Sequence, residues 1–130
     1  MIALDTNILI RLITNDDPRQ TTRAKTLLAK NQIFIPKTVF LEMEWVLRHA
    51  YLLDRDTIQN AFEIILGLPN VEVETVTEIA TALEWYQQGL DFADALHLAS
   101  SKIAEQLATF DEKLSKKAKQ LGTTPLVLLA

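Results

Sequence analysis

The sequence predicts an α/β protein: a three-layer α/β/α sandwich around a central, mainly parallel sheet of four to five short strands. Two observations predict it. Short apolar runs at Ile2–Leu4, Ile33–Ile35, Val71–Val73, Leu107–Thr109 and Pro125–Leu129 alternate with stretches of helical periodicity. Strands that alternate with helices form parallel sheets covered by their crossover helices. The strongest turn signals, Thr14 to Pro18 and Gly67 to Asn70, fall between these elements and not within them. At 130 residues the chain is long enough for one real core, so a single domain over residues 1–130 is expected.

In chain order, Ile2 to Leu4 reads as a buried strand, followed at once by a helix from Ile8 to Ile13. A second helix runs from Pro18 to Asn31, with Ala24, Leu27 and Leu28 on one face. Pro36 stops the Ile33–Ile35 strand, and Lys37 to Tyr51 is helical. Asp54 is placed to cap a helix ending near Leu66, and Thr77 one ending near Gln88, where Gly89 serves as the stop. Asp91 to Glu105, rich in Ala and Leu on nearly every side, reads as a buried helix. Asp111 to Leu121 is a basic surface helix.

Composition narrows the chemistry. There is no cysteine, which excludes disulfides and thiolate metal sites. No signal-peptide pattern opens the chain and no apolar run has membrane-spanning length, so a cytoplasmic protein without a membrane partner is expected. The net charge is −4, whereas proteins that grip nucleic acid by charge alone are more often basic. Setting four acids aside, however, leaves 13 acids facing 13 bases. An acidic pocket filled by divalent cations would leave that balance.

Those four are Asp5, Glu42, Asp94 and Asp111. Asp5 and Asp111 each end an apolar strand and precede a helix, where either can simply be a cap. Parallel strands, though, bring their carboxyl ends to one sheet edge, where ligands bind. Asp91 and Asp94 are three apart in the first turn of one helix. A cap explains Asp91 but not Asp94, whose surroundings are apolar; His97 reads as a half-buried structural residue. In the Lys37 helix, Glu44 has Arg48 four residues on, a sufficient surface pair. Glu42 has no base among its helical neighbours. Clustered carboxylates without cysteine or paired histidines select hard cations, Mg²⁺ or Mn²⁺. Such ions activate water and steady the leaving oxygen in phosphodiester cleavage. Thr6, Asn7 and Thr109 would then hold the carboxylates or water in place. Arg11, Arg48 and the lysines Lys113, Lys116, Lys117 and Lys119 are candidates for flanking phosphates, although a solvated helix face also explains the lysines. No strand is rich in the aromatics that stack single-stranded bases.

Ile2-Ala3-Leu4-Asp5-Thr6-Asn7, Phe40-Leu41-Glu42-Met43-Glu44-Trp45, Asp91-Phe92-Ala93-Asp94-Ala95-Leu96-His97 and Ala108-Thr109-Phe110-Asp111 together resemble the four acidic signatures of PIN domains, in particular those of VapC-type toxins. The resemblance covers essentially the whole chain in the family's order. It implies a Mg²⁺- or Mn²⁺-dependent endoribonuclease, with Asp5, Glu42, Asp94 and Asp111 as metal-coordinating and catalytic acids. Asp91, Thr6, Asn7 and Thr109 match supporting positions. It further implies an RNA substrate, a homodimer and inhibition by a small cognate antitoxin. The departure is Glu44, where many members carry an apolar residue. A housekeeping RNA-processing nuclease or a DNA-cutting relative is the competing enzyme reading. A response-regulator-like signalling module fits poorly: Val71–Val73 ends without Asp and Pro125–Leu129 carries no Lys.

Overall fold

A computed structural model describes residues 1–130 and has five strands and seven helices. All strand pairs are parallel, so the α/β class holds. The strands hydrogen-bond as a three-stranded ladder and a two-stranded one. These belong to two compact units, Met1–Val76 and Thr77–Ala130.

The first unit starts with β1 (Ile2–Ala3) and α1 (Thr6–Thr14). Asn15, left-handed at φ 51°, ends α1 by donating its N–H to the Arg11 carbonyl at 2.9 Å. After the turn come α2 (Pro18–Lys30), with Pro18 at its first position, and β2 (Ile33–Ile35). α3 (Lys37–His49), α4 (Arg55–Leu66) and β3 (Val71–Val73) complete it, with ladder order β1-β2-β3. The central strand is the buried one: Ile33 and Ile35 are sealed, whereas β1 pairs on one side only and leaves Ile2 and Ala3 exposed. The expected buried opening strand is therefore an edge, with Leu4 alone entering the core. Phe40 from α3 meets Phe62 from α4 edge to face at 5.2 Å, over Met43, Leu47 and Ile58. Such an aromatic pair adds about 0.5–1.5 kcal/mol beyond its burial.

Asp54 caps α4 as its position predicts, accepting from the Thr57 N–H at 2.8 Å. The α3 start is satisfied by a group the sequence did not reveal. Glu74, just past β3, accepts the Lys37 N–H at 2.8 Å, because the residue before it, Pro36, has no side chain able to cap.

The second unit holds α5 (Val76–Gln87) apart from its first residue, α6 (Phe92–Ala99), β4 (Gln106–Thr109), α7 (Glu112–Leu121) and β5 (Leu126–Leu129). α5 begins one residue before Thr77, so Thr77 is helical and is not the cap. Gly89 does end the segment, at φ 105°, a conformation that excludes other residue types without strain. α6 stops at Ala99, well short of Glu105. Its last turn is closed by serines: Ser100 N–H bonds the Leu96 carbonyl, and the Ser101 hydroxyl donates to the His97 carbonyl at 2.7 Å. Serine hydroxyls compete with the helical ladder in this way. The Tyr86 and Phe92 rings pack edge to face at 5.4 Å in this unit's core.

Candidate active site

In the first unit, Asp5 occupies the N-cap position of α1 in extended conformation (φ −79°, ψ 160°), yet its side chain makes no capping hydrogen bond. Its carboxylate is exposed and available to a ligand. Thr6, next in sequence, is buried, and its hydroxyl has no hydrogen-bond partner. Buried polar groups are almost always partnered, so an orphan hydroxyl marks a place where water, an ion or substrate is expected. Asn7 is exposed and lines a pocket of about 330 Å³ with Ile8, Arg11, Gln20, Arg23 and Leu27.

The two glutamates of α3 separate cleanly. Glu42 is exposed and makes no ion pair. Glu44 is 2% exposed and is gripped by both arms of Arg48, at 2.8 Å through Nε and 3.2 Å through NH2. The pair expected on the surface is thus buried on its acid side, because Glu44 lies on the same stripe as Phe40, Met43 and Leu47. Arg48 is committed to that bond. Arg11 is likewise engaged, with Nε on Gln20 and NH1 on Asp16 at 3.1 Å, so neither arginine is idle as a phosphate contact. Asp16 is held below the ordinary carboxylate range chiefly by the Tyr51 hydroxyl, with Thr14 and Arg11 adding to it. Residues 35 apart make that contact, and no local pattern announces it.

In the second unit, Asp91 caps α6 by accepting the Asp94 N–H at 3.2 Å. Asp94 sits in the first turn, half-buried. Burial pushes its carboxyl above the usual value of 3.8, and the negative charges of Asp91 and Asp111 push it further, against a smaller opposing pull from His97. His97 itself is exposed, not half-buried, although Ala95, Leu96 and Leu98 beside it on α6 are buried. Asp111 caps α7 through the Leu114 N–H at 3.1 Å and donates its own N–H to the Thr109 hydroxyl at 3.0 Å. The structure therefore brings Asp91, Asp94 and Asp111 within electrostatic reach of one another. Neither unit by itself gathers three Asp, Glu or His side chains closely enough to hold a metal ion.

The donor set does fit a hard cation. Every candidate ligand is a carboxylate oxygen, Asp5 and Glu42 have no competing partner, and Asp94 carries repulsion that a cation would relieve. Over 108 residues the chain is 29% identical to a VapC ribonuclease of Aquifex aeolicus (strain VF5), covering 78% of this chain and 79% of that protein. It is also similar to the crystal structure of VapC20 of Mycobacterium tuberculosis, a sarcin-ricin loop cleaving toxin, with 24% identity, 97% of this chain and 98% of that one covered, and a TM-score of 0.45. The PIN-domain family model matches residues 2–120, a stretch that contains Asp5, Glu42, Asp91, Asp94 and Asp111. This chain belongs to the PIN-domain family.

Proposed function

We propose that the chain is a Mg²⁺- or Mn²⁺-dependent endoribonuclease and the toxin of a toxin–antitoxin pair. One observation carries the reading: three of the four acids marked by the family motifs are not consumed by local structure, and the fourth, Asp111, spends one oxygen on the α7 cap. Asp5 stands at a helix start without capping it, Glu42 is free while its neighbour Glu44 is consumed by Arg48, and Asp94 is held half-buried among like charges. The relative named a VapC ribonuclease supports the substrate class.

Asp5, Glu42, Asp94 and Asp111 are the proposed ligands. Bound there, the cation supplies an activated water and charge stabilisation at the phosphate. Thr109 fixes the backbone at Asp111, so that this carboxylate keeps one oxygen on the Leu114 N–H and presents the other. Asp91 fixes the first turn of α6 and with it the direction of Asp94. Thr6 and Asn7 flank Asp5, where their hydroxyl and amide can orient water.

The partner is a small antitoxin. On the first unit, Leu9, Leu12, Ile13, Leu28, Ile64 and Leu68 line an apolar groove of about 520 Å³, with Lys25 in its wall. That groove is the surface where an antitoxin's apolar side chains would be buried. A single domain over residues 1–130, a homodimer and a cytoplasmic location are parts of the same proposal; no helix is long and apolar enough to cross a membrane. Exposed Trp45, its ring tilted against His49, is the apolar anchor α3 offers to a second copy.

The test is RNA cleavage by metal-stripped protein with Mg²⁺, Mn²⁺ or EDTA added, beside Asp5→Asn. Cleavage that requires the ion and disappears in the variant is expected. RNA left intact under every condition, together with no Mn²⁺ binding, would refute the reading; cleavage of DNA in preference to RNA would transfer it to the DNA-cutting relatives.

A further inference from the structure

Phe110 is 87% exposed, and its place in the chain is fixed. It stands between Thr109, the last residue of β4, and Asp111, the cap of α7. Three hydrogen bonds pin the backbone around it. The Ala130 N–H donates to the Thr109 carbonyl at 2.8 Å, the Asp111 N–H to the Thr109 hydroxyl at 3.0 Å, and the Leu114 N–H to the Asp111 carboxylate at 3.1 Å. β4 alternates outward and inward, with Thr109 turned in, so the next side chain is turned out. It forfeits its burial to be displayed beside Asp111.

Resting on the ribonuclease reading, we propose that the Phe110 ring is a stacking platform for one unpaired RNA base next to the cut, with Lys113 holding the adjoining phosphate. Lys113 is exposed in the first turn of α7, and Lys116 and Lys117 follow on the same helix face. An aromatic face with a lysine three residues on suits single-stranded nucleic acid, because every base has a π-face and every linkage a negative charge. On the α7 side the ring adjoins Asp111, Glu112 and Lys113, all exposed, and on the β5 side the exposed Leu128 and Leu129 pair with Ala108 and Thr109, so a second copy is the competing occupant that the experiment separates. A duplex would offer no free base face.

The experiment measures binding of a short mixed-sequence single-stranded RNA carrying 2-aminopurine to the full chain in EDTA, with cleavage in Mn²⁺ followed in parallel. Phe110→Ala is expected to weaken binding about 5- to 150-fold and to remove part of the 2-aminopurine quenching. Phe110→Leu keeps an apolar side chain without a ring face and should behave like Ala, while Phe110→Trp should restore both signals. Lys113→Gln should lower the salt dependence of binding by about one phosphate contact. Mn²⁺ binding should match the parent in all of them. Equal RNA affinity in Phe110→Ala and the parent, or full retention in Phe110→Leu, overturns the proposal while leaving the nuclease intact. So does a change of oligomeric state in Phe110→Ala, which would give the ring to a second copy. A parent protein that neither binds nor cuts RNA overturns the ribonuclease reading, and this inference with it.

Discussion

Glu42 and Glu44 lie two residues apart on α3, and exchanging each for glutamine should produce opposite phenotypes. Glu44 is 3% exposed at its side chain and accepts two bonds from Arg48, whose side chain is 36% exposed. Breaking a fully buried ion pair costs about 3–5 kcal/mol, much of it from the charge left behind. An exposed pair is worth about 0–1 kcal/mol. Here the orphaned charge would be Arg48, which reaches water, so the cost of Glu44→Gln falls between these limits at about 2 kcal/mol. For a domain of this size that lowers the melting temperature by about 6–10 °C. Glu42 is exposed and unpaired, so Glu42→Gln should leave stability within about 0.5 kcal/mol. Activity should sort the other way: Glu42→Gln loses Mn²⁺-dependent RNA cleavage, and Glu44→Gln keeps most of it below its melting temperature. Thermal unfolding in EDTA and cleavage at a temperature where both variants are folded measure the two axes separately. A destabilised Glu42→Gln with normal cleavage, or an inactive but fully stable Glu44→Gln, would falsify the division of roles.

Asp94 is raised by burial and by Asp91 and Asp111. Its folded form therefore holds a proton more tightly than the unfolded chain does, and the associated stability is fully present below 3.8 and lost as pH rises through the folded value. Asp94→Asn should be more stable than the parent at pH 7 in EDTA, with a flatter stability curve between 3.8 and the folded value; an equal pH dependence of stability in chemical denaturation would show that Asp94 is not the group responsible. Thr6→Val replaces an orphan buried hydroxyl with a methyl group, so it should stabilise the metal-free protein by about 1 kcal/mol while reducing cleavage. A loss of stability would mean the hydroxyl is already satisfied. Asp16 presents the reverse sign: its carboxyl is lowered, so its contribution is present above 3.8 and fades as pH falls through the folded value. Tyr51→Phe should raise the Asp16 pKa toward normal in a carboxyl NMR titration, since the Tyr51 hydroxyl is the largest cause of the shift.

What the sequence discloses and what it conceals divide along contact range. The α/β alternation, the Asp54 cap and the Gly89 stop are local, because periodicity, an N–H three residues on and one permissive φ decide them. The composition of α6 is helical to Glu105, yet two serines, not a glycine or proline, end it at Ala99. The burial of Glu44, the Glu74 bond to Lys37 and the Tyr51 clasp on Asp16 depend on neighbours brought together by folding. Among the candidate site residues, the sequence singles out the acids by motif and by apolar surroundings. It does not disclose their commitments. Only the structure distinguishes Asp5, which does not cap, from Asp91 and Asp111, which do.

That distinction bears on how a cap and a metal ligand can be the same residue. A carboxylate has two oxygens and about four acceptor sites, and the cap at Asp111 uses one oxygen on one N–H. Capping therefore orients the group and leaves acceptor capacity to spare. Asp111 stands at the positive end of α7. Asp94 lies in the same kind of helical turn, but burial and two like charges outweigh whatever the helix end supplies, and its proton is held more tightly. The proposed cation would reverse that balance by replacing repulsion with attraction. Metal binding at these acids should consequently release protons, most of all under acidic conditions, where Asp94 is still partly protonated. Calorimetric titration with Mn²⁺ in two buffers of different ionisation enthalpy reads that release directly. Proton release that shrinks in Asp94→Asn is the expected result. The same release in parent and variant would show that Asp94 takes no part in holding the ion.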